Sequence, residues 1–161
     1  MTYSIIGILA TIILLISNRE VLRNRESSAL TRIEKNYRSF LLGVTGYYIT
    51  DALWGILEAH RLTALLYADT VVHFAAMAAA VMLWTQYVIS YLDGGSRFEK
   101  ILYHTGKGFF VFEMIVILIN FFWPVLFWFD ATGAYHAGVA RYLTLTIQIL
   151  MFLMTSIYTL L

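Results

Sequence analysis

The sequence predicts an all-α integral membrane protein, a bundle of five transmembrane helices with the N-terminus outside and the C-terminus in the cytoplasm. Three observations carry that expectation. Of the 161 residues, 60% are hydrophobic, 16% aromatic and only 13% charged, whereas about 25% of a soluble domain is charged. The apolar residues gather into stretches of roughly 20, the length needed to cross about 30 Å of hydrocarbon. The basic residues fall into alternate connecting loops, the asymmetry that orients a membrane protein. A formal charge of +1 with one Pro and ten Gly excludes a disordered or fibrous chain. The absence of cysteine removes a disulfide framework, a thiolate metal site and a Cys nucleophile together.

The single domain, 1–161, is read as spans at about 1–17, 39–59, 62–92, 106–128 and 138–161. The first is short, but no basic residue precedes it and no small-x-small cleavage site follows Ile16, so it is a span and not a signal peptide. The loop at about 18–38 carries Arg19, Arg23, Arg25, Arg32, Lys35 and Arg38. The loop at about 93–105 carries Arg97 and Lys100, with Lys107 just beyond. His60 and Arg61 make a minimal second loop, and the fourth, DATGAYHAG, has neither Lys nor Arg. Basic loops stay inside, which sets the orientation of a multi-pass protein in contact with lipid.

Helix starts are marked by Thr31-Arg-Ile-Glu34 and Ser96-Arg-Phe-Glu99, in which a hydroxyl residue and a Glu three places on form a capping box. The second span therefore begins near Arg32, inside the cytoplasm. The third, over about 31 residues at 1.5 Å each, is some 46 Å long and must tilt or project. Asp93-Gly94-Gly95 stops it, glycine being suited to a left-handed cap. Trp123, Phe127, Trp128 and Phe129 surround Pro124 with Tyr135 and Tyr142 across the loop, an aromatic belt at the outer boundary. Gly43, Gly46 and Gly55 allow close helix contact without forming a clean small-xxx-small repeat.

Polar residues inside these spans are the functional candidates, because a charge at mid-bilayer costs about 2.5–3.5 kcal/mol on insertion scales. Asp51 and Asp69 each lie about seven residues from the outer ends of the second and third spans, at matching depth. Trp54 and Glu58 share the helical face of Asp51, and His73 shares that of Asp69. Arg141, in the first turn of the last span beside Tyr142, is the cation placed to answer the carboxylates. Asn120 and Gln148, read as near mid-membrane, extend the polar lining or serve only to join helices. Glu113 falls away from this group, toward the inner end. A ligand site is thus expected at Asp51, Trp54, Glu58, Asp69, His73, Asn120, Arg141, Tyr142 and Gln148. One intramembrane His lacks the second axial partner of a b-type haem, and His60, His104 and His136 fall in loops or interfaces, so no cofactor and no metal is expected. No P-loop, HExxH, GxSxG or DxD metal pair occurs, and Gly106-Lys107-Gly108 is too short to cradle phosphate. Catalysis and nucleic-acid binding are not expected of this chain.

The strings YITDALWGILEAHRL, LLYADTVVHFAAMAAAVMLWTQYVISYL and NFFWPVLFWFDATGAYHAGVARYLTLTIQILMFLMTSIYTLL, with their D-x-x-W-G, N-F-F-x-P and R-Y patterns, resemble the N-terminal multi-span membrane region of bacterial diguanylate cyclases of the GGDEF type and of related sensor kinases. The likeness runs from about residue 37 onward. It implies an input module that binds an unidentified small molecule, pairs as a homodimer and signals to a cytoplasmic output domain making cyclic di-GMP or transferring phosphate. No such domain stands before Leu161, so the output part is expected to be missing from this chain. The competing readings are a vitamin-type importer subunit and a structural subunit of a membrane complex.

Overall fold

The computed structural model describes residues 2–23, 30–92 and 95–160. Most of them are helical, in α1 (Thr2–Ser17), α2 (Arg19–Arg23), α3 (Arg32–Ala59), α4 (Thr63–Leu92), α5 (Arg97–Asn120) and α6 (Val139–Leu160), with a two-stranded hairpin of β1 (Phe127–Phe129) and β2 (Tyr135–Ala137) between α5 and α6. Four helices, α3 to α6, are long and apolar enough to cross a membrane. α1 is apolar but has 16 residues, and at 1.5 Å per residue it reaches about 24 Å, less than a hydrocarbon core.

Polarity runs inside out. Leu42 and Ile49 on α3, Leu65 and Val72 on α4, Val111 and Leu118 on α5, and Leu150 and Leu153 on α6 are exposed, while Thr50, Thr70, Thr85, Glu113, Thr144, Gln148 and Thr155 are buried. Such an apolar exterior suits a lipid solvent. The buried hydroxyls are tolerated because each returns its proton to its own helix: Thr70 to Leu66 O, Thr85 to Val81 O and Thr155 to Met151 O, at 2.7–2.9 Å.

α4 is the central element, packed against α3, α5 and α6. Its register with α3 is antiparallel and set by rings: Tyr37 against Tyr87 at 5.0 Å and Phe40 against Trp84 at 5.1 Å. Asn36 donates to the Ser90 hydroxyl at the far end. Thr50 meets His73 at 3.1 Å. The cluster Phe74, Val116, Ile117, Leu126 and Phe127 joins α4, α5 and the hairpin, and Ala78, Val81, Phe109 and Met151 join α4, α5 and α6.

Helix starts follow the sequence signals. Thr31 forms the full capping box with Glu34, and the Ser96 hydroxyl accepts from Glu99 N at 3.2 Å. Gly95 is left-handed at φ +64, while Asp93 and Gly94 of the expected helix stop lie outside the described residues. Arg61, at φ 54, is the non-glycine residue that takes the left-handed turn between α3 and α4.

The expected span at 106–128 is corrected at both ends: the helix covers 97–120 and then breaks. The remaining apolar stretch turns back as the hairpin, with Phe127 opposite Ala137 and Phe129 opposite Tyr135. Asn120 is therefore the last helical residue and not a mid-membrane one. Its amide donates to Phe127 O at 3.1 Å and accepts from Leu126 N at 2.8 Å and Phe127 N at 3.2 Å. These three bonds supply partners to backbone groups of two fully buried residues. Gly138 closes the hairpin by donating to Leu126 O at 2.7 Å, and any Cβ there would overlap the Val125 carbonyl.

Replacing Asn120 by Leu strands two buried donors and one acceptor. Since an unsatisfied buried polar group costs about 1–3 kcal/mol, Asn120→Leu should destabilise the folded protein by about 3 kcal/mol or more. Reversible denaturation in mixed detergent micelles measures this, and a loss under about 1 kcal/mol would contradict the assigned hub.

Candidate functional site

The α3–α4 register brings two intramembrane polar residues together first. Thr50 donates its proton to Tyr47 O at 2.8 Å, so its contact with His73 Nδ1 at 3.1 Å requires the ring to be the donor there. In a neutral His73 the lone pair then lies on Nε2. Tyr47 packs on the same imidazole, with centroids 4.7 Å apart. Asp51 stands one residue beyond Thr50.

The hairpin and the start of α6 close the fourth side. Tyr135 meets the Trp54 ring edge-on at 6.2 Å and 83°. The Arg141 guanidinium lies over the Tyr135 ring at 5.3 Å, and the phenol is pushed up by burial and pulled back by the nearby guanidinium. Together these elements enclose a cavity of about 520 Å³ lined by Tyr47, Asp51, Trp54, Thr70, His73, Phe74, Met77, Tyr135, Arg141 and Leu145. That volume lies within the 300–1,000 Å³ typical of small-molecule sites.

Of the nine residues expected at a ligand site, Asp51, Trp54, His73 and Arg141 line this cavity. Asp69 is buried beside Thr70, about one turn nearer the α3–α4 connection, with its Oδ2 lacking a partner among the described residues. Glu58 is exposed beyond the cavity, where α3 runs out toward Ala59. Tyr142 is 63% exposed on the outer face of α6. Asn120 serves the hairpin backbone, as described. Gln148 is buried on the inner face of α6, one turn below Thr144, with its Nε2 unpartnered among the described residues. Glu113, set apart in the sequence reading, is fully buried on α5 with both oxygens unpartnered among the described residues. No group of three or more His, Asp or Glu able to hold a metal occurs among the described residues.

Tyr47 and Thr70 escaped the sequence reading because hydroxyl and aromatic residues are ordinary in membrane helices, and Tyr135 was read only as part of the aromatic belt. Gly7 escaped it too. α1 packs on α3 so closely there that a Cβ would lie 3.0 Å from Asp51 Oδ2 and 3.0 Å from Ala52 N. α1 therefore backs the carboxylate, and its other end is tied by the Tyr37 hydroxyl donating to Asn18 at 2.7 Å.

The hairpin that carries Tyr135 is ordered by Asp130. Its Oδ1 accepts from Thr132 N at 2.8 Å and Ala134 N at 3.0 Å, and its Oδ2 meets His136 Nε2 at 2.9 Å. Trp128 stacks on His136, with centroids 5.3 Å apart. The bond from His136, followed by those from Thr132 and Ala134, holds the Asp130 carboxyl well below the usual carboxylate range.

Searches of protein-family models, of curated proteins and of solved structures gave no match to this chain.

Because Asp130 holds its proton less tightly in the folded hairpin than in the unfolded chain, protons favour the unfolded form. The stabilisation is complete above about pH 4, the ordinary aspartate value, and is lost as pH falls below it toward the lowered folded value. Trp128 fluorescence should therefore hold steady on acidification to about pH 5 and change below about pH 4. Asp130→Asn should abolish that low-pH step, and an unchanged step in the variant would assign the transition to another group.

Proposed function

We propose that this chain is the membrane-embedded input module of a bacterial signalling protein, a receptor that binds a small ligand in the cavity between α3, α4, the hairpin and α6 and signals to a cytoplasmic output domain. The observation that carries the reading is the cavity itself, which gathers Asp51, His73 and Arg141 from three helices of a bundle with a lipid-facing exterior. Intramembrane ionisable side chains are costly to insert, and their convergence on one ligand-sized space gives that cost a purpose. The likeness of the sequence to the membrane regions of diguanylate cyclases and sensor kinases supports the same role.

In this reading α1 is a fifth, short span. The basic residues of α2 and of the starts of α3 and α5 put those ends in the cytoplasm, and the Lys- and Arg-free hairpin faces outside. The cavity then opens outward and α6 delivers its C-terminal end to the cytoplasm. An importer subunit would use the same cavity, but alternating access ordinarily relies on helices broken at the binding site. α3, α4 and α6 run unbroken past this one.

The natural absence of cysteine makes a direct test simple. A single Cys at Trp54, which lines the cavity and is only half-buried, should react with a membrane-impermeant thiol reagent applied to the outside of intact cells, and a Cys at the lipid-facing Leu150 should not. A reporter inserted at 130–134 should be exported, and one fused after Leu161 should be cytoplasmic. An unreactive Trp54→Cys protein would remove the open ligand site, and a cytoplasmic 130–134 reporter would invert the orientation.

A further inference from the structure

The two opposite charges in the cavity do not meet in an ion pair. Asp51 and Arg141 both line it, yet the described residues contain no ion pair between them, and the Asp51 carboxylate accepts no hydrogen bond from any described residue. The carboxylate is not sealed away either, since its oxygens are absent from the fully buried, unpartnered set that includes Asp69 Oδ2. The Arg141 guanidinium lies over the ring face of Tyr135, and Gly7 of α1 backs Asp51 from behind. Each charge is thus fixed to its own wall.

An anion and a cation held apart at membrane depth favour a guest that answers both. A cation alone would leave the guanidinium without a counter-charge, an anion alone would leave the carboxylate so, and an apolar guest would desolvate both. The remaining walls are apolar or aromatic: Tyr47, Trp54, Phe74, Met77 and Leu145.

We infer that the cavity takes a small zwitterion with an apolar or aromatic body, its ammonium group on Asp51 and its carboxylate on Arg141. The inference rests on the cavity being a ligand site, and it adds the chemical class of the ligand. Arg141 supplies a fork that matches a carboxylate. The Asp51 carboxylate, accepting no other bond, is free to accept from an ammonium group. The aromatic rings of Tyr47 and Trp54 add a face attractive to the same cation.

Four probes sharing a phenyl ring separate the charges: L-phenylalanine and para-aminomethylbenzoate carry both, at short and long spacing, phenethylamine only the positive and phenylpropionate only the negative. Binding to the full chain in lipid nanodiscs is read by calorimetry and by the shift in melting temperature. At least one zwitterion should bind about tenfold or more tightly than either singly charged probe, since each loses a charge-assisted contact. Asp51→Asn should erase the preference over phenylpropionate, and Arg141→Gln the preference over phenethylamine. Equal or tighter binding of phenethylamine or phenylpropionate overturns the zwitterion while leaving a ligand site in place. If no probe binds although the Trp54→Cys protein is labelled, the ligand class is wrong and the open cavity stands. If neither occurs, both fall. The wild-type comparison decides alone should a variant fail to fold.

Discussion

The three hydrogen bonds of the Asn120 side chain are the interaction on which the rest of the architecture depends. Backbone groups buried in a turn need partners within the protein. Asn120 ends α5 and at once supplies both donor and acceptor to Leu126 and Phe127. That contact turns an apolar stretch, which would otherwise continue outward, back onto the bundle. Phe127 then stacks on Phe74 of α4 at 5.7 Å and 10°, and Tyr135 on Phe127 at 6.1 Å. Tyr135 in turn places Arg141. The cation in the cavity owes its position to an amide about 20 residues earlier in the chain.

Within the bundle the polar side chains divide into two kinds. The threonines satisfy themselves along their own helices and leave the helix surface nearly apolar. Trp84 Nε1, donating to Thr155 at 2.8 Å, is a staple between α4 and α6. Against this background Asp51, Asp69, Glu113 and Gln148 stand out because some or all of their polar atoms find no partner among the described residues. Asp51 alone of the four opens on the cavity, and this is what distinguishes a candidate site from buried polarity in general.

The four long helices and the N-caps of α3 and α5 were legible because length, apolar content and the hydroxyl-x-x-Glu pattern are local properties. The break after Asn120 was not, since Phe121 to Phe129 stays apolar and aromatic and hydropathy does not register a backbone turn. Asn120, Pro124 and Gly138 were the available signals. Asp51, Trp54, His73 and Arg141 could be found as polar or interfacial residues in apolar text. Glu58 shares the helical phase of Asp51, but phase does not say where the cavity ends along the helix axis. Tyr142 follows Arg141 by one residue, and a 100° rotation turns it to the exterior. Gly7 was invisible because its role lies in the partner helix it touches.

α6 offers a physical route from the cavity to the opposite end of the bundle. Arg141 stands in its first turn and Tyr158 in its last, about 25 Å apart along one unbroken helix. At that far end Tyr158 meets Ser96 at 3.1 Å and donates to Glu99 at 3.3 Å, and its ring packs on Phe98 at 4.6 Å. The same helix is fastened to α4 midway by the Trp84–Thr155 bond. In the proposed reading a ligand that draws the Arg141 end toward Asp51 works against these distal contacts, and it shifts α6 only by as much as its affinity differs between two positions of the helix. Asp51 stands on α3 and Arg141 on α6, so a tilt of α6 would change their separation, and the strength of a two-ended contact depends on that separation.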